Sequence, residues 1–417
     1  MSLNRVVITG RGAVSPFGRG VDSLLENVWA GNSAMRRMDS WQEIKGLTSL
    51  IAAPVPELDA KKLLPRTVRR TMGKMAIYAT LAAMEGVEDA GISPELLVSG
   101  DLGVAIGSTT GSPAAFEEFY ASYLPEKALE HIKSGEFFKM MSHSCSANVC
   151  LALGVRGEQW GPASACTSSS QAIGLGYLLI RTGRQQVMLC GGADEVHASV
   201  TGIFDLLRAA SNGRHRPDAA CRPFDEDRCG VVCGGGSGIL VLESLDSALE
   251  RGAHIYAEIV GFGNVNDSGH IANPDKDSMG RAMRCAMAEG GLEPGKIDYV
   301  NAHATGTELG DIAEAVAISQ AVSTTTPVSS FKGHIGHTLG AAGSLELIVT
   351  LEMMRRGEII PTRNLENIDP RCSAACLEKE LRKAELKTIL KNNFALGGVN
   401  TSLALRRMSR GWLKLNL

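Results

Sequence analysis

Four short stretches of this 417-residue chain carry residues able to do chemistry, and each is set among glycines. Cys166 lies in G-P-A-S-A-C-T-S-S-S-Q-A-I-G, running from Gly161 to Gly174. Small residues before it permit a tight strand-to-helix turn, and the hydroxyls of Thr167 to Ser170 suit the first turn of a helix. A cysteine there feels the positive end of the helix dipole, which favours the thiolate and so nucleophilic attack. Taken alone, such a cysteine is more often a plain core residue. Three later stretches change that reading. His303 lies in N-A-H-A-T-G-T-E-L-G-D from Asn301, His337 in F-K-G-H-I-G-H-T-L-G-A-A-G from Phe331, and N-N-F-A-L-G-G-V-N follows from Asn392. One cysteine with two loop histidines is a recipe for acyl transfer, in which a thiol attacks a carbonyl while imidazoles polarise an oxygen or move protons.

Each stretch follows a run with strand character, which would place all four at the C-terminal ends of strands, where open α/β sheets bind ligands. Strands are expected over 5–10, 102–106, 186–190, 239–243, 255–263, 299–302 and 328–330, with a last pair around 392–400. Helices are expected over 21–30, 71–90, 142–153, 279–289, 310–322 and 336–355, with another beyond the cysteine turn. The acidic, amphipathic segment 114–131 reads as a helical cap over a cleft. At 255–263 the chain begins again: I-Y-A-E-I-V-G-F-G resembles the opening R-V-V-I-T-G-R-G, and the same element order follows. That recurrence argues for two similar halves, 1–250 with the cysteine and 251–417 with the two histidines. No Pro/Gly/Ser linker divides them, so one fused unit with a parallel-rich sheet is expected.

Composition narrows the function classes. Hydrophobic residues make up 44%, enough for a large core, while aromatics are only 5% and glycines number 47, a balance that favours close backbone packing. A net charge of −3 points to neither nucleic acid nor an anionic membrane as partner. No apolar run is long enough to span a bilayer and the chain opens on a strand, so neither a membrane span nor a signal peptide is expected. Ten cysteines without a secretion signal read as reduced thiols of the cytoplasm. The pairs Cys229/Cys233 and Cys372/Cys376 lack zinc-ribbon spacing, and no metal is expected.

Together these motifs resemble the elongating β-ketoacyl-[acyl carrier protein] synthases, condensing enzymes of the thiolase superfamily, over nearly the whole chain. Arg222-Pro-Phe-Asp225, Arg228 with Gly230, and Asp267-Ser-Gly-His270 add to the likeness. The resemblance implies a thiolase-like fold, two pseudo-duplicated halves giving a five-layered α-β-α-β-α core. It implies a decarboxylative Claisen condensation of an acyl chain on Cys166 with malonyl carrier, giving 3-oxoacyl carrier and CO2, in fatty acid, polyene or polyketide synthesis. It casts Cys166 as nucleophile, with His303 and His337 assisting malonyl decarboxylation. Lys332 is the accompanying lysine and Glu346 a buried supporting acid. The backbone N–H groups of Cys166 and Leu396 would form the oxyanion hole, Thr305 and Thr307 would hold the pantetheine arm, and Phe394, Leu396 and Thr110 would border the substrate. No cofactor is implied, since substrates ride on the phosphopantetheine of an acyl carrier protein. A homodimer is implied, pairing a strand near 186–190 across its axis, or a heterodimer with a homologous chain-length subunit.

Departures from the family pattern point away from a housekeeping role. The chain has Phe394-Ala-Leu396-Gly-Gly where the family has F-G-F-G-G, so leucine replaces a gating phenylalanine. Arg228-Cys-Gly-Val-Val-Cys lacks an aspartate and a phenylalanine of the family's R-D-G-F-V, and a glutamate is missing just beyond. Three other readings lose support: a non-catalytic chain-length subunit would lack Cys166, a degradative thiolase would carry a second cysteine near its C-terminus, and a CoA-primed initiating synthase would replace the second histidine by asparagine.

Overall fold

The computed structural model describes residues 3–130 and 132–408. Its first strand, β1 (Val6–Ser15), is apolar and buried apart from Arg11, and its glycines choose its neighbour. A Cβ on Gly12 would lie 1.9 Å from the Ala82 carbonyl oxygen, and one on Gly10 would lie 2.5 Å from that of Gly86. Helix α1 (Lys74–Ala90) therefore rests directly on the strand. The first half continues through β2 (Leu102–Gly107), α2 (Pro113–Tyr123), α3 (Ser144–Leu153), β3 (Gln159–Trp160), α4 (Ser168–Arg181), β4 (Val187–Asp194), α5 (Ala198–Leu206) and β5 (Gly236–Ser244). Its strands lie in the order β3-β2-β4-β5-β1, with β5 antiparallel to both of its neighbours.

The second half repeats this plan with β6 (Ala257–Asn266), α6 (Lys276–Glu289), β7 (Tyr299–Asn301), α7 (Glu308–Ala321), β8 (Pro327–Ser329), α8 (Ala342–Arg356), β9 (Cys376–Leu377), β10 (Thr388–Phe394) and β11 (Val399–Arg406). The order is β9-β8-β7-β10-β11-β6, and β11 is again antiparallel to both neighbours. Leaving out the extra edge strand β9, both halves read third, second, fourth, fifth, first. The glycine contact recurs as well. A Cβ on Gly263 would lie 1.9 Å from the Ala282 oxygen, and one on Gly261 would lie 2.1 Å from that of Ala286, on α6.

The two sheets join where β1 meets β6, with Val6, Val7 and Ile8 opposite Ile259, Glu258 and Ala257. Three cores define the layers. One packs α1 and α3 on the outer face of the first sheet, one packs α6 and α7 on the outer face of the second, and the largest lies between the sheets around α4 and α8. This is the α-β-α-β-α, thiolase-like arrangement. Helix α8 is buried on every side from Ala342 to Met354, as a central-layer helix must be.

Three expectations need correction. Strand β4, expected to pair across a dimer axis, has β2 on one side and β5 on the other, so neither edge is free. Among the described residues, the free edge of that sheet is the two-residue β3, where Trp160 is 40% exposed. The helix expected over 336–355 starts only at Ala342, because Gly336 adopts a positive φ of 66° after a short turn over Lys332–Ile335. The cap over 114–131 ends as a helix at Tyr123, and a second helix spans Ser134–Met140; His131 lies outside the described residues. Among the described residues no helix is long and apolar enough to cross a membrane.

Candidate active site

Glycines at the strand ends bring the chemical loops together. A Cβ on Gly107, at the end of β2, would lie 2.7 Å from the Pro162 oxygen and equally close to the Ser168 Cβ. One on Gly192 of β4 would lie 2.2 Å from the Gly340 oxygen. The cysteine turn and the His337 loop thus press onto the same sheet from its C-terminal edge. Asp194, closing β4, fastens them: it accepts from Ser108 Oγ at 2.8 Å, the Thr109 N–H at 3.1 Å and the Gly340 N–H at 2.6 Å.

Cys166 sits in a single 3₁₀ turn, Ala165–Thr167, just before α4. Ala165 has φ 48°, a left-handed conformation costing a non-glycine residue about 1–2 kcal/mol. The hydroxyls around it hold the turn in place. Thr167 Oγ1 donates to the Ser164 carbonyl at 2.7 Å, and Ser168 Oγ donates to that of Ala165 at 2.7 Å while accepting from the Ser164 N–H.

His337 Nε2 lies 2.9 Å from Cys166 Sγ. Its backbone is fixed on both sides, its N–H donating to the Val232 oxygen and its carbonyl accepting from the Gly234 N–H. His303 stands beside it, ring centroids 5.1 Å apart and planes at 84°. The sulfur and one nitrogen of each ring all lie within 4.8 Å of one another. Asn393 contacts His303 Nδ1 at 3.3 Å and accepts from Ser170 Oγ at 2.6 Å, tying the histidine to the cysteine's own helix. The backbone N–H groups of His303 and Ala304 donate to Glu314 at 2.8 and 2.7 Å.

Behind the histidines lie three fully buried charges. Lys332 Nζ is 2.6 Å from Glu346 Oε1, and Lys391 Nζ is 2.7 Å from Glu346 Oε2. Burial, then the Lys332 charge, holds both imidazoles well below the ordinary histidine value, with Lys391 pushing the same way. The rings are therefore neutral, and the ammoniums behind them oppose any cation at the triad. Burial also pushes the Cys166 thiol up to about 12, although Lys332 acts against this. Desolvation is the largest influence on this thiol. His337 Nε2 lies within hydrogen-bonding reach of this protonated thiol.

The triad opens into a cavity of about 480 Å³. Thr305 and Thr307 line it, with hydroxyls 3.1 Å apart, as do Phe394, packed edge-on to His303 at 6.2 Å, and Leu396. A second, larger cavity of about 1710 Å³ is lined by Trp41, Tyr78, Thr110, Phe116 and Phe204, mostly apolar. Leu396, 38% exposed, borders both. Its N–H makes no loop hydrogen bond among the described residues, and neither does that of Cys166. Arg228, largely buried, lines the smaller cavity. It pairs with Asp369 at 2.7 Å and donates to the carbonyls of Asp225, Thr307 and Glu308, bracing the threonine loop.

Lys391, Asn393, Glu314 and Asp194 were not legible as site residues. The only available signal was that Lys391 and Asn393 alternate along a strand entering the Phe394 motif, which puts both side chains on one face.

The comparisons with known proteins agree with this geometry. Residues 3–248 match the β-ketoacyl synthase N-terminal domain and residues 256–366 the C-terminal domain. The 3-oxoacyl-[acyl-carrier-protein] synthase 1 of Escherichia coli is 35% identical, over 97% of this chain and all of its own length. A β-ketoacyl synthase crystal structure from Burkholderia phymatum superimposes with a TM-score of 0.94 at 40% identity, covering 97% of this chain and 100% of that one. The ishigamide ketosynthase/chain length factor follows at 0.90 and 31%, covering 98% and 100%. Because both domains are matched in order and the relatives align end to end, the chain belongs to the β-ketoacyl synthase family.

Proposed function

We propose that the chain is a β-ketoacyl-[acyl carrier protein] synthase in which the first half supplies the nucleophile and the second half the histidines. The observation that carries this is the 2.9 Å contact of His337 Nε2 with Cys166 Sγ, with His303 beside them at the foot of the cavity. Cys166 sulfur attacks the thioester carbonyl of an acyl chain on its carrier, and its proton passes by way of His337 to the departing carrier thiol. The Cys166 and Leu396 N–H groups receive the oxyanion. Malonyl carrier then enters past Thr305 and Thr307. Loss of CO2 breaks its carbon–carbon bond and leaves an enolate that neutral His303 and His337 stabilise as donors. The enolate carbon attacks the Cys166 thioester, a new carbon–carbon bond forms as the carbon–sulfur bond breaks, and the departing Cys166 thiolate takes up a proton from water. Lys332 and Glu346 do not reach the reacting atoms and act as positioning residues. No cofactor is needed beyond the carrier's phosphopantetheine.

An acyl carrier protein is the proposed partner, supported by the function named for the Escherichia coli relative. The free β3 edge favours pairing with a second copy or with a homologous chain-length subunit. A specialised polyene or polyketide pathway is supported by Leu396 and Thr110, which leave a wide, aromatic-lined cavity, and by the likeness to the ishigamide pair. The test is competition among saturated, polyenoyl and aryl-primed acyl carriers with malonyl carrier as extender, with products read by mass spectrometry. Absence of a 3-oxoacyl product from every primer overturns the condensation reading. Preference for saturated chains, with rescue of a strain lacking its elongating synthase, overturns the specialised pathway.

A further inference from the structure

Lys391 is the buried charge that the chemistry above leaves without a role. Its side chain is fully buried in the middle of β10, where a strand ordinarily carries an apolar residue. The ammonium is 2.6 Å from the Asn392 carbonyl oxygen and 2.7 Å from Glu346 Oε2. Glu346 already has Lys332 on its other oxygen, so two ammoniums share one carboxylate. Facing them, Glu314 of α7 is neutralised in part, since burial pushes its carboxyl up to about 7. Asn301, the register neighbour of Lys391 on β7, keeps a buried amide oxygen with no hydrogen-bond partner among the described residues. Burial pulls the Lys391 ammonium down to about 8 against the pull of Glu346, so at neutral pH the Lys332–Glu346–Lys391 cluster carries one more positive charge than negative, in a region without solvent to screen it.

We propose that Lys391 is a positioning residue of this site: its ammonium, fixed on Glu346 and the Asn392 carbonyl, gives the wall behind the histidine pair a net positive charge that holds both rings neutral and favours negative charge forming on the substrate in front of them. Lys332 already acts on both rings, and Glu346 pairs with both ammoniums. The second lysine adds to the positive field of the first at His303 and His337. This role rests on the condensation reading for its catalytic consequence, but not for the state of the rings.

The test separates the two. Lys391→Met keeps length and apolar bulk while removing the charge. In the unliganded chain labelled with 13Cε1-histidine, the His303 and His337 resonances should titrate about one pH unit higher or more in the variant than in the native chain. The acid limb of malonyl-carrier decarboxylation should move up by the same amount. Lys391→Ala leaves room for a small cation, and added methylammonium should return both readouts towards native, whereas tetramethylammonium should not. Unchanged histidine titration in both variants overturns the proposal, even if rates fall with the melting temperature. A native chain that decarboxylates no malonyl carrier overturns the condensation reading while leaving the titration result standing.

Discussion

The two halves share a strand order and a packing device, yet they hold different kinds of atoms at the site. In the first, Gly10 and Gly12 seat α1; in the second, Gly261 and Gly263 seat α6, with nearly the same clearances. Around Cys166, however, the first half offers mainly hydroxyls, backbone and Asp194, while the second buries Lys332, Lys391, Glu346, Glu314 and two imidazoles. The frame tolerates duplication because it depends on glycines and apolar faces. The chemistry depends on individual polar residues, and these have diverged completely. Symmetry in this molecule is a property of its scaffold alone.

The sharpest way to break the comparison is to remove the proposed nucleophile of the first half. Cys166→Ala should lower condensation by at least about 10⁴-fold and abolish acyl loading seen by intact-protein mass spectrometry, with the melting temperature nearly native. A variant that still loads acyl groups at this site would place the nucleophile elsewhere. Within the second half, His337→Asn and His303→Asn should each cost decarboxylation about 10²–10³-fold. Acyl loading should fall mainly in His337→Asn, because that ring contacts the thiol and His303 does not. Equal losses of both activities in both variants would argue against separate roles.

The shared device is tested by Gly12→Ala and Gly263→Ala. Each added methyl would sit 1.9 Å from a helix carbonyl oxygen, so each should destabilise by about 1–3 kcal/mol in denaturant titrations. Unequal costs would show that the halves are packed less alike than their clearances indicate. Leu396→Phe should narrow the wall between the cavities and move preference towards slim saturated chains by about tenfold, read in the competition among primers. The smallest expected effect is none. With both imidazoles held below 6.5, protonation is postponed to lower pH, so condensation should show no acid-side loss centred at that value.

Much of this was legible in the chain. The two Gly-x-Gly strand starts announced the repeat because a glycine seat leaves a sequence mark, and the cysteine and histidine loops were marked by glycines that let backbones meet. Strand order left no such mark. The segment around 186–190 reads like any apolar strand, and only crossover connections decide that β4 is interior while β3 lies at the edge. The desolvation of Cys166 left no mark, because a dipole can be read from local sequence, whereas burial is the sum of distant packing. Lys391 was invisible because its partner Glu346 lies 45 positions earlier, on a helix of the central layer.

That central layer has a consequence for ancestry. One of its helices, α4, belongs to the first half and the other, α8, to the second, and each covers apolar surface contributed by both sheets. Either half alone would expose that face to water, so the repeat unit could have been stable only as a pair. The single chain has the architecture of a symmetric two-subunit protein joined end to end, with the cysteine in one repeat and the two histidines in the other.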